Sequence, residues 1–356
     1  MSHRQRYWTF SALAFVVFAA LLGAIVDHYA HRVLRRVDAS LGYTPNPEGV
    51  RQLLREMREP TFTAASPESM ANAAGRDVFL YRAVNQVNQK VYGVPWEPLN
   101  QGNVGSCVGN TFALGVTTAE SVDFVMGKLA RPPPACAVEP IYAGARTRAM
   151  LPPQDRNLGG DGTYGGAAAR WITGRCKDAS VGGVLHREVF GPHDLRTYSV
   201  ARCREWGRDG VPSDLAKLAA STRAKCVQVN TWAELCASLE RGSPIAICSQ
   251  VGYGPTPRVR DEHGALTRGT SWSHAMLVWG VRHQANGSPF DAGLIANSWG
   301  KSWVSGPRWP DDQPDGTFWA RRADIEAALR GGDCWAIGTS YEWRDLANGN
   351  WGGLAL

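Results

Sequence analysis

The chain has no C-x-x-C pair and no Cys/His cluster with zinc-ligand spacing, which excludes a zinc-organised module and a dithiol redox motif. It has no dense Lys/Arg run interleaved with aromatics. The net charge of +6 is spread over 356 residues, so a nucleic-acid partner is not expected. Internal repeats and low-complexity tracts are missing as well. Charge is absent altogether from residues 8–26, an apolar run of 19 residues. A helix of that length nearly crosses the hydrocarbon core of a bilayer. A buried core helix would carry a polar stripe, and this run has none. A signal peptide would end in a small-x-small cleavage site, but the run leads into Asp27, His28, Tyr29, Ala30 and His31. The expectation is a single-pass membrane protein, held in the lipid bilayer by one uncleaved helix at 8–26 behind a short tail at 1–7. Arg4 and Arg6 on one side, and Arg32, Arg35 and Arg36 on the other, set no clear direction. The main body is expected on the extracytoplasmic side.

What is present suits a globular body with substantial loops: 44% hydrophobic residues and 21 prolines, enough chain for one large domain or two smaller ones. Residues 27–76 read as a stalk or linker. A weakly helical stretch at 50–58 is bracketed by Pro45, Pro47 and Pro60, and 61–76 is small and polar. Of fourteen tryptophans several crowd the C-terminal third, and most are expected to pack core and loops.

The most informative segment runs from Gln101 to Cys107, with glycines at 102 and 105 and small or apolar residues after the cysteine. A thiol at a helix start is acidified by the helix N-terminus. An amide side chain on the preceding loop can donate to a developing oxyanion. Two further blocks follow in order. His274 stands in Ser271-Trp272-Ser273-His274-Ala275 before an apolar run, and Asn297 opens Asn297-Ser298-Trp299-Gly300.

These three blocks together resemble the papain-like cysteine peptidases, over about residues 77–340, and are closer to divergent bacterial and phage members than to lysosomal or plant enzymes. The resemblance implies that Cys107 is the nucleophile and His274 its acid–base partner. Asn297 would orient the imidazole, and Gln101 with the backbone N–H of Cys107 would form the oxyanion hole. Trp299 would cover the Asn–His pair. The Gly-rich loop at 159–166 would border the substrate cleft, with Gly162, Gly165 and Gly166 as candidates for backbone pairing with an extended peptide. Trp272 would wall a neighbouring side-chain pocket. Such chemistry calls for no metal and no cofactor, and the partner is a peptide or protein substrate.

The departures are specific. The best-known members carry a cysteine three residues before the nucleophile and a tryptophan after it; here these positions are Val104 and Val108. The partner of that cysteine is missing from the Gly-rich loop too. The separation between Cys107 and His274 is long for the family, and the extra residues are expected in loops around 180–225 and 250–270. The family often carries an inhibitory pro-segment. Residues 27–76 are short for that role, so a spacer is the simpler expectation and a short pro-segment the alternative.

Helices are expected at 107–126, 139–148, 167–173 and 232–241, and strands at 244–248, 277–281 and 293–296. Helices first and strands second make an α+β plan: a helical half and a β-rich half with a cleft between, preceded by one transmembrane helix. The domain plan is 1–7, 8–26, 27–76, a peptidase-like domain at 77–340 and a tail at 341–356. The seven cysteines other than Cys107 allow at most three disulfides. Cys176, Cys203 and Cys226 lie in loop-rich sequence and are the disulfide candidates, whereas Cys236 and Cys248 read as core residues. His186, His193, His263 and His283 are expected to be structural. The function that follows is a membrane-anchored cysteine endopeptidase working through a thioester. The alternatives are an inactive binding protein on the same scaffold, or acyl transfer or peptidoglycan cleavage by the same residues.

Overall fold

The computed structural model describes residues 42–149, 160–254 and 257–339. The expected anchor at 8–26 and both tails lie outside the described residues. Among the described residues no helix is long and apolar enough to cross a membrane.

Three short helices come first: α1 Pro47–Glu56, α2 Phe62–Ala65 and α3 Pro67–Asn72. Pro47 starts α1 and the Asn46 side chain caps it, accepting the Gly49 N–H at 2.9 Å. Strand β1 Val78–Phe79 leads into α4 Tyr81–Tyr92. The long helix α5 Cys107–Val125 follows, then α6 Val138–Thr147 and α7 Gly165–Ile172. A small hairpin, β2 Val189–Phe190 and β3 His193–Asp194, precedes α8 Val200–Asp209 and α9 Ser213–Ala219. The remainder alternates: β4 Lys225–Gln228, α10 Trp232–Glu240, β5 Ile245–Ser249, β6 His274–Arg282, β7 Ala292–Ala296, β8 Thr317–Arg321, α11 Arg322–Leu329 and β9 Cys334–Gly338.

The strands form one antiparallel sheet in the order β4-β9-β5-β6-β7-β8, with β1 added on β6. Every residue of β5, β6 and β7 is buried, so both faces of the sheet centre are covered. Helix α5 supplies part of that cover. Its apolar and small residues run all round the helix, as a helix inside a core requires. Gly109 lets it approach Tyr142 of α6, and Gly115 lets it approach Ile337 of β9; a Cβ at Gly115 would lie 2.3 Å from the Ile337 side chain. The buried side chains fall into two clusters. One is built mainly on α5, α6, α7 and α8, the other on the sheet with α10 and α11. Helical half and β-rich half are therefore both present, and α5 meets the sheet where they join.

Three expectations need correction. Residues 42–76 are not a free spacer: Phe62 is fully buried, Leu53 and Val50 nearly so, and Thr63 and Ala74 donate to Glu234 and Glu240 of α10. The stretch around 180–225 is not only loop. Helix α8 is bound to α6 by Arg202, which reaches the buried carboxylate of Glu139 at 2.8 Å. All eight cysteines are free and buried, so the proposed disulfides do not form. Cys203 and Cys226 fill the helical-half core as small apolar residues, which their polar surroundings in the sequence did not suggest.

Candidate active site

Cys107 is the first residue of α5. Ser106 holds the helix start, where Asn110 returns its backbone N–H to the Ser106 carbonyl at 2.9 Å. The Cys107 sulfur is met by the backbone N–H of Val108 in the same first turn and by that of Ala275, the second residue of β6. The thiol thus lies where α5 runs up against the sheet, beside the residue that follows His274.

His274 opens β6 and is fully buried. Its Nε2 lies 2.7 Å from Asn297 Oδ1, just past the end of β7. An amide oxygen can only accept, so this contact puts the imidazole proton on Nε2 and leaves Nδ1 to face other chemistry. Asn297 Oδ1 is fixed in turn by the Ser298 N–H at 2.7 Å. The Trp299 ring lies over the imidazole, centroids 4.6 Å apart and 31° between planes. Trp272, Trp303 and the Arg258 guanidinium pack behind Trp299.

Gln101 is also fully buried. Its backbone N–H donates to the Ser298 carbonyl at 2.8 Å, its Oε1 accepts the Ser298 hydroxyl at 2.5 Å, and its Nε2 donates to the Val104 carbonyl at 3.0 Å. Ser298 therefore ties the amide of Gln101 to the segment that carries Asn297. The loop between Gln101 and Cys107 has two further supports. The Tyr198 hydroxyl donates to the Gln101 carbonyl at 3.0 Å and meets Ser106 Oγ at 2.9 Å. Asp161, in the Gly-rich loop, accepts the Gly105 N–H at 2.6 Å and the Tyr142 hydroxyl. Arg146 holds that loop from below, donating to the carbonyls of Gly162 at 2.7 Å and Gly160 at 2.8 Å.

Residues 42–44 cross this site. Thr163 N–H donates to the Gly42 carbonyl at 2.9 Å, and Thr44 N–H donates to the Thr163 carbonyl at 2.9 Å, a parallel pairing. On the opposite side Tyr43 N–H donates to the Ser273 carbonyl at 3.2 Å. The segment thus bridges the Gly-rich loop and the residue before His274. Only glycine fits where it passes: a Cβ on Gly42, at φ +79°, would lie 2.1 Å from the Gly105 carbonyl oxygen, and one on Gly162 would lie 2.2 Å from that of Gly42. Cys107 beneath has no solvent-accessible surface. Burial pushes its thiol up to about 12, against the smaller lowering by the Ala275 and Val108 N–H groups. In this covered arrangement the sulfur is a thiol, not the acidified thiolate expected from its helix start.

The structure brings Cys107, His274, Asn297, Gln101 and Trp299 together at the junction of the two halves. Other candidates land differently. Gly162 lies against Gly42, but the backbone pairing is made by its neighbour Thr163. Gly165 and Gly166 do not border the cleft with free N–H groups; both donate to the buried Asp333 carboxylate, each at 2.8 Å. Trp272 belongs to the aromatic stack, 5.1 Å from Trp299, and the cavity beside Tyr43 is lined by Ser271 instead. Ser298, Tyr198, Asp161, Tyr43 and Asp333 went unnoticed in the sequence. Only Asp161, an acid among glycines, carried a local signal.

No protein-family model and no curated protein sequence matches the chain. Among solved structures it is similar to xylellain, a cysteine protease from Xylella fastidiosa, at 18% identity and a TM-score of 0.53, over 85% of this chain and 97% of that one. Digestive procathepsin L 3 of Tenebrio molitor larval midgut gives 12% identity and a TM-score of 0.41, over 91% and 90% of the two chains. The likeness to xylellain shows the architecture: the chain has the papain-like cysteine peptidase fold.

Proposed function

We propose that the chain is a membrane-anchored cysteine endopeptidase, kept latent by its own residues 42–44. The observation that carries this is the junction itself. A thiol opens α5 against the backbone N–H of Ala275, the residue after an imidazole that Asn297 and Trp299 hold in one orientation. Once uncovered, Cys107 passes its thiol proton to His274 Nδ1 and the thiolate attacks the carbonyl carbon of a peptide bond. The oxyanion is held by the Cys107 N–H and the Gln101 amide. His274 gives its proton to the leaving amine, a thioester remains, and His274 then takes a proton from the water that hydrolyses it. Residues 42–44 pair with Thr163 and Ser273 as an added strand would, and this pairing supports reading them as a stand-in for a substrate backbone. This supports the pro-segment alternative for 27–76.

The uncharged run at 8–26 supports an anchor in the bilayer, and the same reading carries an extracytoplasmic peptidase part. Carbonate extraction of membranes should leave the full chain in the pellet, and release into the supernatant would overturn the anchor. Peptide hydrolysis by the full chain, compared with Cys107→Ala of unchanged circular dichroism, tests the chemistry. Activity retained in the variant would overturn the assignment.

A further inference from the structure

A cavity of about 550 Å³ runs along one face of α5, between that helix, α4 and the segment 94–99. Asn110 and Thr117 both line it and stand two turns apart on α5, about 10 Å. The Asn110 end is nearer Cys107, and there Asn297 and Ser298 form the wall. Asn297 Oδ1 is committed to His274 Nε2 and the Ser298 N–H, each at 2.7 Å. Its Nδ2, on the other branch of the same amide, is buried and has no acceptor among the described residues. A buried donor left open is costly and calls for a partner. At the other end, Thr117 Oγ1 accepts the Cys136 N–H at 2.9 Å, and the Ala135 carbonyl accepts the Arg187 N–H at 2.8 Å. Arg187 is therefore placed at that end; it lines the cavity, is half-buried and makes no ion pair among the described residues. The other charges on the lining are matched, Arg196 by Asp194 and Glu97 by Lys301. Between the two ends the walls include Trp96, Leu114 and Leu277. Tyr92 and Val94, 42% and 53% exposed, flank the opening with apolar surface.

We propose that this cavity binds an elongated, apolar small-molecule carboxylate, with its carboxylate on Arg187 and an oxygen at its far end on Asn297 Nδ2. Each part of the ligand answers one part of the wall. The unmatched charge is a guanidinium, whose planar fork suits a carboxylate. Asn297 Nδ2 can only donate, so the group that meets it must be a hydroxyl or carbonyl oxygen. The separation of the two ends sets a length of about 10 Å. The tryptophan and leucine walls ask for an apolar body, and a flat ring fits beside Trp96. Water answers the amide alone and leaves the apolar walls wet and the guanidinium unmatched. The site is separate from the substrate cleft, since Thr163 and Ser273, which hold residues 42–44, are not part of its lining. The proposal goes beyond the peptidase reading and does not rest on it.

The test is equilibrium dialysis of the full chain against 6-hydroxy-2-naphthoate, a flat carboxylate of about that length with an oxygen at its far end. One molecule should bind per chain. Arg187→Ala, with unchanged circular dichroism, should weaken binding about tenfold, the worth of one charge-assisted contact at a half-buried site. Wild type should hold 2-naphthoate, which lacks the far oxygen, about fivefold more weakly. It should hold 2-naphthol, which lacks the carboxylate, weakly and no better than Arg187→Ala does. Leu114→Trp fills the space and should abolish binding. None of these readouts needs catalysis, so an inactive chain that binds the naphthoate would sink the proposed function and leave the site standing. Absence of saturable binding to wild type, equal affinity of wild type and Arg187→Ala, or equal affinity for the two naphthoates would overturn the proposal.

Discussion

Replacing Asp161 by alanine should loosen the loop that carries Gln101 and Cys107. In the best-known papain-like enzymes that loop and the Gly-rich loop are tied by a disulfide, and both of its cysteines are absent here. In their place the Asp161 carboxylate bridges Gly105 N–H at 2.6 Å and the Tyr142 hydroxyl, with Arg146 at 3.8 Å. A charge-assisted hydrogen bond contributes about 1.5–3 kcal/mol when fully buried. The Asp161 side chain is 39% exposed, so solvent screening reduces each to about 1 kcal/mol. Alanine also leaves the Tyr142 phenol, 1% exposed, without that acceptor. The sum is about 2–3 kcal/mol, or a fall of about 5–10 °C in Tm for a domain of this size. Because the loop aims oxyanion donors, kcat should drop about tenfold with little change in KM. Asp161→Asn keeps one acceptor oxygen and should lose about half as much in both readouts. The Asp161 charge also raises the Cys107 thiol, so its removal should make the thiol slightly more acidic, opposite to a simple loss of structure. Thermal unfolding and steady-state hydrolysis of both variants measure these effects. An alanine variant with unchanged Tm and kcat would refute the idea that this carboxylate replaces the covalent tie.

Ser298→Ala should strand Gln101 Oε1 and free its amide to rotate, costing about tenfold in kcat with KM nearly constant; a change confined to KM would reassign Gln101 to ground-state binding. Asn297→Ala should lower activity and move the alkaline limb of the kcat/KM profile down, since the imidazolium loses its acceptor at 2.7 Å, and an unmoved limb would argue against that role. Burial raises Asp333 from 3.8 to about 6 despite the four donors around it, so the folded chain binds that proton more tightly than the unfolded one. Its stabilising contribution is complete below about pH 4 and is lost as pH rises through 6, on the order of 3 kcal/mol. Denaturant midpoints of wild type and Asp333→Asn should therefore diverge across that window, and parallel curves would contradict it.

The residues legible in the sequence were those whose chemistry is written locally. Cys107, His274 and Asn297 each sit at the end of a regular element, next to the pattern that makes the element: a small and apolar run for α5, continuous apolar strands for β6 and β7. Helix α10 was legible for a similar reason, since Thr231 and Glu234 form a capping box. Strands β4 and β9 are short, and their pairing joins Lys225 to Gly338 across more than a hundred residues, which no local window shows. Helices α8 and α9 were hidden by charge: α8 carries Arg202, Glu205, Arg204 and Arg208, and its burial turns on one ion pair with Glu139. Gly165 and Gly166 illustrate the opposite error. A glycine run reads as a cleft border, but here two of its N–H groups start a helix over a distant carboxylate.

On the proposed latency, the thiolate expected from the helix start and the buried thiol would belong to two states of one site. In the covered state the shift from 9.0 to about 12 disfavours the thiolate by on the order of 4 kcal/mol. The groups that would lower it, the Val108 and Ala275 N–H donors, are already in place and are outweighed by burial. On the proposed latency residues 42–44 supply part of that burial, with Gly42 against Gly105, two residues before Cys107, and the Tyr43 N–H on Ser273, the residue before His274. Removing them readmits water and leaves the lowering contributions. The sign of the change is therefore downward, and its pH dependence is measurable without substrate. Alkylation of Cys107 in the wild-type chain should climb steadily with pH and show no plateau below about pH 9. In Tyr43→Ala it should plateau at a pH below the roughly 8.5 of a free thiol, and His274→Ala in that background should move the plateau up by removing the neighbouring positive charge. Identical pH profiles for the wild-type and Tyr43→Ala chains would mean that residues 42–44 do not set the state of the thiol, and the two-state account would fall.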